Sequence, residues 1–204
     1  MTITNQHDYV KTILKCDPNL TRLFDTIPTV TIPFDDDGFR FLMFTIIGQQ
    51  VSAHVAHIIF NRLNHTLSVL DAQHVMNIPE QALREIGISF SKMSTMKRVA
   101  HYCLENNFHF NTFLDKKYTD LFIHIKGIGP WTMDMYNMFV LKDLNHFSYQ
   151  DLGLIEGLKS VYKTPLKTIE EIKKVSQLWS PYKSIVAHFL WEYWDYYHKG
   201  KRKD

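Results

Sequence analysis

The run Leu121–Asp151, LFIHIKGIGPWTMDMYNMFVLKDLNHFSYQD, sets a glycine-bounded turn between two helix-like apolar segments and ends on a carboxylate. Thr119 suits a helix N-cap, and Leu121, Phe122 and Ile125 supply an apolar stripe. Gly127 ends that helix, because glycine takes left-handed backbone angles without steric cost. Gly129 keeps the turn tight and its backbone unshielded. Pro130 suits the first position of the next helix, with its φ preset and no N–H to leave unpaired. Trp131, Met135 and Met138 then share one face. The N–H groups at such a helix start attract a phosphate, aided by the helix dipole. A purely structural helical hairpin uses glycine in the same way, so Gly-x-Gly alone does not separate the two.

At 204 residues the chain has room for one domain or two small lobes sharing a cleft, and its 45% apolar content implies a real core. The formal net charge is only +2, so any nucleic-acid footprint is local. Cys16 and Cys103 stand far apart, which excludes a disulfide framework and a cysteine-only zinc or iron–sulfur site within this chain. The eleven histidines, among them His54, His57 and His124, form no ligand set, and no metal site is expected. The opening MTITNQHDYVKTILK has no apolar signal core, and Phe41–Gly48 is far too short to span a membrane. A soluble, intracellular protein is expected.

Helical patterning runs along most of the chain. Phe39, Leu42, Met43, Ile46 and Ile47 repeat at helical spacing up to Gly48, and Ser52 caps a second helix carrying Val55, Ile58, Ile59 and Leu63. Gly48-Gln49-Gln50-Val51 is the polar corner between them. Ile78-Pro79-Glu80 opens a helix ended by Gly87. Another starts at Ser91, a further one covers Glu170–Trp179, and a last one holds Ile185, Phe189, Trp191 and Trp194. Thr29–Phe34 is the main strand candidate, and Pro33 keeps it from being a central strand. The basic tail Lys199-Gly200-Lys201-Arg202-Lys203 reads as a solvated end. Asp151 precedes a short helix and is most simply its N-cap. A helix start also favours negative charge, so the same carboxylate can stabilise a cationic transition state.

Six segments in order carry a resemblance to a known family. They are Asp17-Pro18-Asn19-Leu20, Ile46-Ile47-Gly48-Gln49-Gln50-Val51-Ser52, Ile86-Gly87-Ile88-Ser89-Phe90-Ser91-Lys92, Lys126-Gly127-Ile128-Gly129-Pro130-Trp131-Thr132, Asp151-Leu152-Gly153-Leu154, and Trp179-Ser180-Pro181-Tyr182-Lys183-Ser184 with Trp191. The chain resembles the helix-hairpin-helix (HhH-GPD) DNA glycosylases, specifically the DNA-3-methyladenine glycosylase II branch, over about residues 13–197. The resemblance implies an all-α fold of two helical lobes with a central DNA- and base-binding cleft. One lobe, about 38–143, would carry the hairpin; the other would combine 1–37 with 144–204. The extra N-terminal β-domain of some relatives is not expected.

The resemblance also implies a function. The enzyme would flip a damaged nucleotide out of double-stranded DNA and hydrolyse its base–sugar bond. Asp151 would be catalytic. Trp131, Trp191, Met135, Leu152 and Gln49 would bind the base. Gln50 would fill the gap in the stack, where relatives often carry a bulky apolar residue. Gly127, Ile128, Gly129 and Thr132 would hold DNA. Tryptophan stacked on a cationic alkylated purine gains about 0.5–2 kcal/mol. An alkylated base leaves readily, so no strong general acid is needed, and Asp151 would serve the oxocarbenium-like transition state and the attacking water. Bifunctional relatives place a nucleophilic lysine at the position of Trp131, so a monofunctional enzyme is expected. A monomer is expected as well. No cofactor is expected beyond a monovalent cation on hairpin carbonyls, which would leave no side-chain signature. Ile155 and Glu156 stand where a basic residue is common, and Ser148 where proline is common. Tyr136 and Phe44 are further candidates for the pocket. The preferred substrate is 3-methyladenine, with 7-methylguanine second. The alternatives are a non-catalytic binder of damaged DNA and an enzyme for a deaminated base or uracil.

Overall fold

The computed structural model describes residues 1–106, 119–162 and 166–199, and among them helices predominate. In chain order the elements are β1 (Thr2–Thr4), α1 (Asp8–Cys16), α2 (Thr21–Thr26), β2 (Thr29–Thr31), α3 (Gly38–Gly48), α4 (Ala53–Thr66), α5 (Ala72–Asn77), α6 (Glu80–Glu85) and α7 (Phe90–Glu105). There follow α8 (Thr119–Phe122), α9 (Pro130–Phe139), α10 (Leu152–Val161), α11 (Ile169–Ser176) and α12 (Lys183–Lys199). No helix among the described residues is long and apolar enough to cross a membrane. The chain divides into two compact units, Met1–Phe34 with Lys142–Asp204, and Asp35–Leu141.

The expected strand at Thr29–Phe34 is shorter, Thr29–Thr31, and pairs antiparallel with β1, Thr2 opposite Thr31. The pairing stops where Pro33 removes a donor two residues on. Strand β1 is too short for its alternation to be recognised in the sequence. In the same unit α12 packs on α10, α2 and β2, burying Ile185, Val186, Phe189 and Leu190 completely.

Two of the motif segments meet in this unit as scaffold. Asp17, 1% exposed, accepts from the Trp179 indole Nε1 at 2.7 Å, from the Tyr162 hydroxyl and from the Asn19 backbone N–H at 3.2 Å. Such a carboxylate is tolerable inside only because donors surround it. Burial first, and then the bond to Asp17, push the Tyr162 phenol well above its ordinary pKa.

The second unit is built on α3, whose Phe39, Phe41, Leu42, Met43, Ile46 and Ile47 are all buried. The amphipathic stripe expected from the sequence is therefore only a fraction of the pattern: α3 packs against α4, α7 and α9 and is buried at most of its positions, Arg40 in its first turn being exposed. Each such side chain contributes about 1.5–3 kcal/mol on burial. Thr45, the polar interruption, bonds back to the Phe41 carbonyl at 2.8 Å. Helix α7 begins at Phe90, not Ser91, because Ser89 caps it through the Lys92 N–H. The expected helix Glu170–Trp179 is α11 followed by a tighter turn at Gln177–Trp179, entered through a Thr168/Glu171 capping box. Residues 200–203 of the basic tail and the side chain of Thr119 lie outside the described residues.

Candidate active site

In the second unit the hairpin has the expected turn with a shorter first helix. Helix α8 ends at Phe122, and the chain then advances by i→i+3 bonds, His124 N–H to the Leu121 carbonyl and Ile128 N–H to the Ile125 carbonyl. Gly127 has φ +102°, and a Cβ there would lie 2.1 Å from Thr95 Oγ1. No other residue type fits that position. Gly129 precedes Pro130, the first residue of α9, and this helix start has no side-chain cap. A Cβ on Gly129 would meet nothing within 4 Å, so the backbone there is open to an approaching group.

Long polar side chains brace the hairpin from inside the unit. Gln49 Nε2 donates to the Gly127 carbonyl at 3.1 Å and to Thr132 Oγ1 at 3.2 Å. Arg98 Nε donates to the Lys126 carbonyl at 2.9 Å. Lys92 Nζ donates to the Ile47 carbonyl at 2.7 Å at the end of α3, and burial pushes its pKa below the ordinary lysine value.

These contacts set the surroundings of several side chains expected to meet base or DNA. Thr132 is 1% exposed, so its hydroxyl faces Gln49 and only its backbone is left to serve DNA. The Nε2 of Gln49, expected to meet the base, is engaged by the hairpin. Ile128 is buried and likewise offers DNA only its backbone. Gln50, by contrast, is exposed and has φ +57°, a left-handed conformation that non-glycine residues adopt at a cost of about 1–3 kcal/mol. Trp131 is half-buried at the start of α9, while Met135 is 6% exposed. Tyr136 is fully buried against Phe41 and Phe122 and belongs to the core. Phe44 packs on His57 and Phe60.

In the first unit Asp151 caps α10, its Oδ1 accepting the Leu154 N–H at 3.0 Å. The same Oδ1 accepts the Trp191 indole Nε1–H at 3.0 Å. Two donors from different helices thus fix the rotation of a half-buried carboxylate and lay an aromatic ring beside it. Gly153 makes this possible, since a Cβ there would lie 3.3 Å from Asp151 Oδ1 and 3.5 Å from Trp191 Cδ1. Gly157 does the same a turn further along, where a Cβ would meet the Leu190 carbonyl at 3.2 Å. Leu152 beside Asp151 is 71% exposed. Ser184 Oγ lies 2.6 and 2.8 Å from the carbonyls of Asp143 and His146, which share its single O–H, and so ties down the loop leading to Asp151. Ser148 in that loop is fully buried. Ile155 is buried, and Glu156 pairs with Lys159 at 2.9 Å, so the acidic residue there carries its own cation.

Sequence reasoning did not single out His188, which touches Trp191 edge-on at 5.2 Å between ring centroids. Burial first, and then the charge of the N-terminal amine, hold its pKa down at about 3 against an ordinary 6.5. Below pH 6.5 the unfolded chain takes up a proton that the folded chain refuses. The stability that the neutral imidazole contributes is therefore full above pH 6.5 and is lost as the pH falls toward 3, at up to about 1.4 kcal/mol per pH unit. Melting curves between pH 7 and 4 should show a steeper loss for the native chain than for His188→Leu; equal slopes would contradict the assignment.

Residues 43–181 match the model of the HhH-GPD superfamily of base excision DNA repair proteins. YfjP of Bacillus subtilis (strain 168) is 24% identical over 186 residues, covering 85% of this chain, which in turn spans 64% of that protein's length. The crystal structure of a DNA-3-methyladenine glycosidase from Bacillus halodurans superposes with a TM-score of 0.80 at 24% identity, over 98% of this chain and 94% of that one. A Schizosaccharomyces pombe 3-methyladenine DNA glycosylase (Mag1) in complex with abasic DNA gives 0.82 at 20% identity, over 91% and 96%. The family match spans more than half of the chain, and the chain belongs to the HhH-GPD superfamily of base excision DNA repair proteins.

Proposed function

We propose that the protein is a monofunctional DNA glycosylase, acting as a monomer on double-stranded DNA, that releases alkylated purines, chiefly 3-methyladenine and secondarily 7-methylguanine. The observation that carries the reading is the double anchoring of Asp151 by the Leu154 N–H and the Trp191 indole. The names of the two superposed structures, a DNA-3-methyladenine glycosidase and a 3-methyladenine DNA glycosylase, support the substrate class.

In this reading the damaged nucleotide leaves the stack, at a cost of a few kcal/mol that damage reduces. Exposed Gln50 occupies the gap, and the open backbone around Gly129 takes a flanking phosphate. Trp191 offers its ring to the cationic base, and Trp131 and Met135 contribute to base recognition by their place in the family pattern. As the C1′–N bond breaks, its electron pair neutralises the departing base. Asp151 stabilises the cationic sugar and accepts the proton of the water that adds at C1′.

Trp131 has no amine with which to attack C1′, and so the product is an intact strand carrying an abasic site. Incubation of the protein with methylated duplex DNA should release 3-methyladenine and leave strands that break only after alkali. Borohydride should trap no covalent protein–DNA complex. Tight binding without base release would turn the reading to a non-catalytic damage binder, and a trapped complex would overturn the monofunctional assignment.

A further inference from the structure

We infer that Gln49 is a positioning residue that locks the hairpin to the Gln50 corner, so that grip on the DNA backbone and insertion into the base stack are set by one rigid element. The inference deepens the reading above and rests on it for the roles of the hairpin and Gln50.

Four observations carry it, all within the second unit. First, a single amide nitrogen serves both sides of the turn: Nε2 reaches the carbonyl of Gly127, the first residue of the Gly-Ile-Gly corner, and the Thr132 hydroxyl beyond it, 78 and 83 residues away in sequence. A neutral amide supplies two N–H donors from one nitrogen, which glutamate and methionine of similar length do not. Second, Gln49 is the C-cap of α3, its own N–H bonded to the Ile46 carbonyl, so its backbone is fixed to the most buried helix of the unit. Third, the next residue is the exposed, left-handed Gln50, in a turn closed by the Val51 N–H on the Gly48 carbonyl. A residue held in that conformation depends on its surroundings to keep it there. Fourth, the brace is redundant around Gln49 but not at it. Lys92 holds the Ile47 carbonyl and Arg98 holds the Lys126 carbonyl, yet of the three only Gln49 bridges the corner and the hairpin.

Coupling follows from this connectivity. A phosphate that draws on the Gly129 backbone acts on the segment whose two ends Gln49 grips, and movement of that segment passes to Gln50 through one intervening peptide.

The test uses the full chain and a duplex carrying a tetrahydrofuran abasic analogue, with 2-aminopurine beside it as a fluorescent reporter of unstacking. Gln49→Met and Gln49→Glu keep the side-chain length and remove the donors. Each should weaken binding of this duplex about tenfold and reduce the fluorescence rise in parallel. The single-turnover rate of base release at saturating protein should fall by less than the affinity does, and the ratio of 3-methyladenine to 7-methylguanine release should stay constant. Unchanged affinity and unstacking in both variants would overturn the inference. So would unchanged affinity with an altered base ratio, which would make Gln49 a base contact. Thr132→Val removes one acceptor at nearly constant volume. Combined with Gln49→Met it should cost no more than Gln49→Met alone, whereas full additivity would also overturn the inference. Binding and unstacking do not need chemistry. A wild-type protein that unstacked the duplex without releasing base would contradict the glycosylase reading and still support the brace, provided the Gln49 variants lost that unstacking.

Discussion

Asp151→Asn should lower the rate of 3-methyladenine release from methylated duplex DNA by about 10²–10³-fold while leaving the melting temperature close to that of the parent. The separation of the two effects comes from the geometry. Asparagine keeps an oxygen at the position of Oδ1, where the Leu154 N–H and the Trp191 indole both donate at 3.0 Å, so the cap of α10 and the contact with α12 survive. What is lost is the negative charge opposite the forming sugar cation. Asp151→Ala removes charge and cap together and should add a stability loss of about 1 kcal/mol. Chromatographic measurement of released base, beside binding to the same DNA and a thermal melt, distinguishes the cases. If Asp151→Asn released base at the parent rate, the carboxylate would be a helix cap alone and the proposed chemistry would need another group.

How much of this can be read from the sequence depends on the range of the interaction involved. The turn at Gly127, the helix start at Pro130 and the caps at Ser52 and Asp151 follow local rules and are recognisable, whereas the contacts of Gly127 with Thr95 and of Asp151 with Trp191 are not local and are not recognisable. Gly153 and Gly157 are visible as glycines in a short helix. Their purpose is not, since it lies in the approach of Trp191 and Leu190 from a helix distant in the chain. Gln49 shows the same limit. Its motif marks it as belonging to the site, but the role depends on acceptors 78 and 83 residues distant, which no local pattern reveals. Asp17 and Trp179, both in segments that carried the resemblance, meet for a structural reason, a buried carboxylate held by an indole. His188 carries no motif. A histidine directly before a Phe-Leu-Trp run reads as an ordinary helix position until its contact with Trp191 is seen.

Gly127→Ala and Gly129→Ala, two positions apart in one turn, should behave in opposite ways. At Gly127 a Cβ meets Thr95 Oγ1 at 2.1 Å, Cγ2 at 2.7 Å and Cβ at 2.9 Å, on a backbone with φ +102°. Thr95 cannot retreat easily. It is 2% exposed, its hydroxyl bonds the Ser91 carbonyl at 3.0 Å, and Arg98 donates to it at 3.3 Å. The left-handed conformation and the forced repacking together should cost about 2–5 kcal/mol. That corresponds to a drop of about 5–15 °C in melting temperature for a chain of this size. Thr95→Ala in the same chain removes Oγ1 and Cγ2 but leaves Cβ, so it should restore some of the loss and not all of it. At Gly129 the backbone is ordinary and the space is empty, so alanine should change stability by less than about 0.5 kcal/mol. Its methyl group nevertheless stands where a phosphate would approach, and affinity for abasic-analogue DNA should fall with the fold intact. Equal melting temperatures for the two variants would mean that the Thr95 contact does not hold the turn. Undiminished DNA affinity in Gly129→Ala would move the phosphate away from the start of α9, and with it the physical reason for an uncapped helix at that point.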